Sequence, residues 1–510
     1  MDRIFLHDLT INENPAENDH LDLKTVINEI FQQQLTHLHH WKTHPEKMLI
    51  HEKPVEIAYV GGGNALIFFQ DANKAEQFIQ TWTARLLIYA PGIQTAVALT
   101  KNFDLDQKMF LSERERLLKC LKKNQQLCIP QTIIPQHGIT AECTRSGYSM
   151  DVWNNKTKEP GYVSSMTHAK ILAAKESNEK IKADYQAILN QCSNDGQPVS
   201  FAFSDQLEDL GCMRQEDNII AIVHIDGNSM GNRFNQTRSL TSFRKLSIDV
   251  DRATKNAFAK LLKHIVKRYD DIMKELGFDL NGKDEQKKVP VNKNAARYLP
   301  IRPIILGGDD LTFVCAGKLG IYFSEKFLTY FARETVSDQK PLTASAGVVI
   351  ANTSYPFYRG YHLAEELCAN AKKIRATEGS NEGTYIDFHV SSGGFAGSLE
   401  QIRHDNYRVA QGNLLLRPYQ LGADKLHPRS YEHLLKNVKE LDRLPNSKIH
   451  QLREVLTQTE EISMQFVKQL HYHKKNYPNF VFRKKRKHNY SMTSPMIKRQ
   501  RHLLLPHILT

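Results

Sequence analysis

The stretch that most limits what this chain can fold into is Arg302–Cys315, RPIILGGDDLTFVC. Pro303 to Leu306 is a short apolar run of strand-forming residues, Gly307 and Gly308 interrupt it, and Leu311 to Cys315 resumes it. The pattern predicts strand, tight turn, strand, with Asp309 and Asp310 at the tip. Paired glycines allow backbone angles closed to other residues and let a bulky ligand approach the main chain. Alone, such a tip reads equally as a solvated acidic turn. A second strand, Ile219–Asp226 (IIAIVHID), also ends in a carboxylate and runs straight into Gly227-Asn228-Ser229-Met230-Gly231. Two strands that each end in Asp bring together Asp226, Asp309 and Asp310, a donor set suited to a pair of Mg²⁺ ions in phosphoryl or nucleotidyl transfer.

The hairpin has a relative earlier in the chain. YVGGGNALIFF at residues 59–69 matches ILGGDDLTFVC turn for turn, so that Gly61 and Gly62 fall on Gly307 and Gly308, Gly63 on Asp309 and Asn64 on Asp310. A helical pattern and then TAVAL follow the first copy; a helical pattern and then TASAG follow the second. This is the signature of a diverged duplication, with both carboxylates missing from the first copy.

Around the first hairpin, residues 1–110 read as strand (Ile4–Leu9), helix (about 21–41), strand (Glu56–Val60), strand (Ala65–Phe69), helix (Ala75 to Leu87) and strand (Gln94–Leu99). The order βαββαβ is that of a ferredoxin-like domain. Residues 216–392 repeat it on a larger scale: a long helix over about 241–276, a helix near 319–331, a strand from Thr343 to Ile350, a helix over about 361–377 and a strand from Thr384 to Val390. Between the copies, residues 111–215 are mostly helical, over Leu111–Leu127 and Ser164–Asn190. Residues 393–470 form an all-helical C-terminal domain, and 471–510 a basic tail with the composition of a disordered segment. The fold class is therefore α+β, two ferredoxin-like domains with a helical intervening region and a helical C-terminal domain.

The formal net charge of +12 over 510 residues belongs to that tail. All 56 acids lie at or before Glu461, whereas eleven of the 68 Lys and Arg follow it, so residues 1–461 carry 57 basic groups against 56 acids. The tail, interleaved with Tyr and Phe, suits RNA or DNA capture, or serves as a solubilising end. No run approaches the roughly 18 apolar residues of a membrane span, and MDRIFLHDLT is not a secretory signal, so a cytoplasmic protein is expected. The seven cysteines include no CxxC pair. Cys120, Cys128 and Cys143 with His137 fit no compact zinc pattern and read as packing residues or the remnant of a site.

Two further candidates serve phosphate. The loop Gly227–Gly231 follows a strand and is rich in small residues, so its N–H groups suit a triphosphate; the plainer reading is an ordinary strand-ending turn. Lys372, Lys373 and Arg375 lie late on a helix, in reach of β- and γ-phosphates, although basic residues there also answer the helix dipole. Lys372 and Lys373 are preferred to Arg375, because Ala371 and Ala376 mark a face close to the core.

The set HIDGNSMG, ILGGDDLTF, TASAGVVIA and HLAEELCANAKKIRA, in that order, resembles the second palm domain of the large polymerase/cyclase subunit of type III CRISPR effector complexes. The GGGN copy is similar to that family's degenerate first palm. The resemblance implies two facing palms and two bound ATP molecules. It also implies synthesis of cyclic oligoadenylate messengers dependent on two Mg²⁺ or Mn²⁺ ions, with Asp226, Asp309 and Asp310 as metal and catalytic residues. Gly227–Gly231, Gly307, Gly308, Lys372 and Lys373 would then bind nucleotide, and other effector subunits and guide RNA would be partners. Two departures stand out. The sequence starts directly with its first palm, and the His7-Asp8 and His404-Asp405 pairs lack the companion motifs of a nuclease. The inter-palm cysteine cluster is incomplete. A cyclase making a cyclic dinucleotide or mononucleotide, or a non-catalytic nucleic-acid-binding scaffold, are the alternative readings.

Overall fold

The computed structural model of the chain describes residues 55–473, together with 483–485 and 489–491; not described within the first range are 62, 101–109, 128–132, 136, 158–159, 190–199, 211–217, 281–287, 294, 378–382, 392–396, 410–411, 424–426, 428 and 442–443. The expected strand Ile4–Leu9 and the helix over 21–41 lie outside the described residues, as does most of the tail. The chain divides into two compact units, the first from residues up to Asp184 plus Ser229–Asp251, the second from Tyr185–Asn228 and Arg252 onward.

In the first unit, β1 (Val55–Gly61) and β2 (Asn64–Phe69) form an antiparallel hairpin in which Gly61 faces Asn64. Helix α1 (Ala72–Tyr89) follows, capped by Asp71, whose carboxylate accepts from the Asn73 N–H at 2.9 Å. Its apolar residues Ala75 and Leu86 are buried. The predicted strand Gln94–Leu99 does not form. Its residues are at most half-buried, and the side chain of Asn124, on helix α2 (Phe110–Gln125), donates to the Val97 carbonyl at 2.7 Å. Alternating apolar residues mark a face to bury, but a strand also needs a ladder partner. The rest of the unit holds a short ribbon, β3 (Val152–Asn154) with β4 (Gly161–Val163), and helix α3 (Ser165–Asp184). Ala58, Phe68, Phe110, Leu240 and Phe243 make a core cluster here. Beside it Arg244, 1% exposed, donates to the Glu56 carboxylate at 2.5 Å and to the Ile57 carbonyl at 2.6 Å.

The second unit is built on a six-stranded sheet. Its strands are β5 (Ile219–Gly227), β6 (Ile301–Gly307), β7 (Asp310–Ala316), β8 (Ala344–Asn352), β9 (Thr384–Val390) and β10 (Tyr419–Leu421), in the order β10-β9-β8-β5-β7-β6. Helix α4 (Leu240–Lys267), which belongs to this unit from Arg252 onward, follows β5, and α5 (Gly320–Phe331) lies between β7 and β8. Strands β8-β5-β7-β6 with α4 and α5 are thus the ferredoxin-like βαββαβ core that the sequence predicts. Helix α6 (Phe357–Thr377) then returns the chain to add β9 parallel to β8. The long helix expected over 241–276 is two helices, because a separate turn, Tyr269–Glu275, starts after Arg268.

The sheet is covered on both faces. Ile220 and Ile222 of β5, Val314 of β7 and Val349 and Ala351 of β8 share one face with Leu363, Ala364 and Leu367 of α6. On the opposite face Gly320 of α5 sits against Ala221 and Val348. The region expected to be all-helical is not: after α7 (Leu399–Tyr407) come a short pairing of Arg408–Val409 with Gly412–Asn413 and the sheet strand β10, and only then α8 (Tyr431–Leu441), α9 (Asn446–Val455) and α10 (Glu460–His473), with a core that includes Leu441, Ile449, Leu452, Phe466 and Leu470. Within the tail, Arg483–Lys485 pairs with Asn489–Ser491. Among the described residues no helix is long and apolar enough to cross a membrane.

Candidate active site

Strand periodicity puts Ile220, Ile222, His224 and Asp226 on one face of β5. That face starts apolar, under α6, and ends polar. Across β5 and β7, Asp226 pairs directly with Asp310 and His224 with Thr312; on the other side Ser345 faces Asp226. Directly opposed residues of an antiparallel pair project to the same side, with Cβ atoms about 4.5–5.5 Å apart. The polar end of the face is therefore a patch of Asp226, Asp310, His224, Thr312 and Ser345, of which Asp310, His224, Thr312 and Ser345 are buried.

The turn sets the third carboxylate. Gly307 pairs with Asp310, which leaves Gly308 and Asp309 as a two-residue loop, and Gly308 takes φ +61°, the left-handed conformation that glycine permits at the first loop position of a II′ hairpin. Thr254 of α4 donates to the Gly308 carbonyl at 2.6 Å and holds the turn. Desolvation and the hydrogen-bonded Asp226 carboxylate push the Asp309 carboxyl up to about 6, against the pull of the Lys372 ammonium. In the first copy, Gly61 pairs with Asn64, with Gly63 at φ +72° and no carboxylate.

Lys372 arrives from α6. Gly347 of β8 makes this possible: a Cβ there would lie 2.0 Å from the Ala364 carbonyl oxygen, so only glycine lets the helix lie this close to the sheet. The Lys372 Nζ is 2.6 Å from Asp226 Oδ2 and donates to the Gly227 carbonyl at 2.9 Å. Lys373 is exposed, and Arg375 is buried at 7% exposure.

The loop after β5 divides in character. Asn228 is buried: it donates to Thr343 Oγ1 and the Gly383 carbonyl at 3.2 Å each, and accepts from Ser345 at 2.9 Å. Its amide is a structural tie across the strand ends. Ser229 adopts φ +58°, Met230 is buried and opens a six-residue helix, and a Cβ on Gly231 would meet open space.

A divalent cation fits the strand-end patch. One donor atom each from His224, Asp226 and Asp310 lie within 4.8 Å of one another, and Lys372 already sets a positive charge against Asp226. Carboxylates suit Mg²⁺ and Mn²⁺. The strand pattern alone does not single out His224, whose one signal in the sequence is its place two residues before Asp226. No comparable group of three His, Cys, Asp or Glu donors forms elsewhere among the described residues. Cys143 is buried instead among hydroxyls, 3.5 Å from Thr167 Oγ1; burial pushes its thiol up, but hydrogen bonds from Ser164, Thr167 and Ser146 outweigh this and bring it to about 6.

The sheet order and the paired strand-end carboxylates define a palm-type domain. Residues 219–380 match the family model described as Cas10/Cmr2, second palm domain. Over that segment the chain is thus similar to the second palm domain of the Cas10/Cmr2 family, as its motifs suggest. Among curated proteins, none matches the chain in sequence. Similar solved structures include the Csm1–Csm4 subcomplex of the type III-A CRISPR–Csm interference complex (13% identity, 89% of this chain and 62% of that one, TM-score 0.39). Others are a Csm1–Csm4 cassette in complex with pppApApA (12%, 88% and 59%, 0.38) and Csm1 in T. onnurineus (15%, 87% and 58%, 0.36). The chain spans about three fifths of the length of these solved chains.

Proposed function

We propose that the palm at residues 219–390 is a metal-dependent nucleotidyltransferase that joins and cyclises ATP into cyclic oligoadenylates as a signal in CRISPR-type defence. The observation that supports it is Asp226 held directly across from Asp310, with Asp309 at the adjoining turn. The nucleotide and the cyclic product come from the family resemblance. In such a reaction a ribose hydroxyl attacks the α-phosphorus of a second nucleotide, a P–O bond forms, the bond to pyrophosphate breaks and the hydroxyl proton leaves. Divalent ions bound at this site would neutralise charge on the attacking and leaving oxygens. Asp226, Asp309 and Asp310 hold negative charge at one strand end for that purpose. Lys372, on the same spot, is placed to accompany the phosphates. The basic tail after Glu461 is proposed to recruit RNA or DNA, and other effector subunits are the proposed protein partners.

Purified protein incubated with each labelled NTP, with Mg²⁺ or Mn²⁺ and with or without RNA, tests this reading. ATP consumption with pyrophosphate release and phosphatase-resistant products is expected. Silence with every nucleotide, metal and RNA overturns it.

A further inference from the structure

We propose that His224 is a nitrogen ligand to the divalent ion held by Asp226 and Asp310, and that it makes this centre favour Mn²⁺ over Mg²⁺. The inference rests on the metal site proposed above and adds a residue and a selectivity to it. Four side chains form a two-by-two square on the sheet: Asp226 opposite Asp310, and His224 opposite Thr312 one strand repeat away. The imidazole is buried at 7% exposure, and its donor atom lies within 4.8 Å of both carboxylates. Two ligands of one ion, each at about 2.0–2.3 Å, sit up to about 4.6 Å apart, so a small closure brings all three onto a single cation.

The ring is also held as metal-binding histidines are held. Such a residue bonds an oxygen through one ring nitrogen and presents the other to the metal, which fixes tautomer and orientation. Thr312 Oγ1, fully buried, lies 3.1 Å from His224 Nδ1. Tyr361 of α6 packs edge-on against the ring with centroids 5.8 Å apart, so rotation away from the carboxylates is hindered.

The selectivity follows from the donor set. Mg²⁺ is hard, demands near-ideal octahedral geometry and takes oxygen ligands with several waters retained. Imidazole nitrogen suits first-row transition ions, and Mn²⁺, although served like Mg²⁺ by carboxylate oxygen, is the one of the two that belongs to that series. Two carboxylates and an imidazole from one sheet face therefore discriminate in favour of Mn²⁺ where carboxylates alone serve both ions.

The test uses the full chain and the metal alone. Mn²⁺ and Mg²⁺ binding are measured by calorimetry for wild type, His224→Ala and His224→Asn, and bound Mn²⁺ is examined by pulsed electron paramagnetic resonance for coupling to a directly bonded ¹⁴N. The expected result is ¹⁴N coupling in wild type that is lost in both variants. Mn²⁺ affinity should fall about tenfold or more while Mg²⁺ affinity changes far less. Wild-type protein that binds Mn²⁺ without ¹⁴N coupling overturns the inference even if the variants fail to fold, as does an unchanged Mn²⁺ to Mg²⁺ ratio in a folded variant. If Mn²⁺ binding survives Asp226→Asn and Asp310→Asn, or wild type binds none, it is the underlying metal-site reading that falls.

Discussion

The Lys372 ammonium lies 2.6 Å from Asp226 Oδ2, a direct ion pair at the strand end that also carries Asp310. A divalent ion at that carboxylate competes with the ammonium for the same oxygen, and a displaced ammonium becomes available to a phosphate. Lys372→Met is therefore expected to change two affinities in opposite directions. Mn²⁺ binding without nucleotide should tighten, and binding of a non-hydrolysable ATP analogue should weaken on the order of tenfold, the scale of one charged hydrogen bond. Calorimetry on both ligands checks this. A loss of metal affinity in Lys372→Met would mean that the lysine supports the ion and does not compete with it.

Asp310 and Asp226 face each other directly, whereas Asp309 sits in the turn. Asp310→Ala or Asp226→Ala is expected to lower turnover of labelled ATP by on the order of 10² to 10³, with the protein still folded by circular dichroism. Wild-type turnover in either variant would remove the strand-end pair from the chemistry.

The GGGN hairpin pairs Gly61 with Asn64 as the GGDD hairpin pairs Gly307 with Asp310, but without the carboxylates. Gly63→Asp combined with Asn64→Asp is expected to leave turnover at the wild-type level within about twofold, because among the described residues no further strand pairs with this hairpin to supply the facing acid that Asp226 provides to Asp310. A several-fold gain in the labelled-nucleotide assay would show a second centre.

Glu56 and Arg244 form an ion pair in which both side chains are almost fully buried, at 4% and 1% exposure. Removing one partner strands the other charge away from water. Glu56→Ala is expected to cost about 3–5 kcal/mol in denaturant unfolding of the unit that contains it. A cost below about 1 kcal/mol, the scale of an exposed pair, would show that solvent reaches the guanidinium.

His389 gives the second unit a pH dependence. Burial, with Arg417 and Arg403 adding to it, holds the imidazole down at about 3. An unfolded chain takes up that proton near pH 6.5, so acidification from about 6.5 downward favours unfolding. His264, held at about 4 by burial and nearby Lys326 and Arg268, acts in the same sense. Asp309, raised to about 6, acts oppositely, since the folded chain is then the better proton acceptor between about pH 6 and 4. The difference between wild type and His389→Gln isolates the histidine: the variant should lose less stability between pH 7 and 5. Parallel losses in the two proteins would place the effect elsewhere.

The local chemistry of the palm was legible in the chain itself. IIAIVHID, RPIILGGDDLTFVC and TASAGVVIA announce strands through alternating or continuous apolar runs, and the glycine pair announces the turn, because these signals act over a few residues. The likeness of the two glycine-rich hairpins was legible for the same reason, and both hairpins form. Gln94–Leu99 shows the limit: its apolar pattern is strand-like, yet the Val97 carbonyl is bonded by the Asn124 side chain, a partner 27 residues away.

Residue types at β5 and β7 determined that carboxylates would gather at a strand end, since strands ending in Asp must place them at a sheet margin. Only the tertiary structure decided which groups meet. The register of β5 on β7 sets Asp226 against Asp310 and His224 against Thr312, and a slip of one residue would turn all of them to the other face. Asn228, which looks like a loop residue offered to phosphate, is spent on tying together Thr343, Ser345 and Gly383. Lys372 and Lys373 are neighbours in sequence, but the close passage of α6 over Gly347 brings one to Asp226 and leaves the other in solvent. These are contacts between residues tens to more than a hundred positions apart, and periodicity carries no information about them.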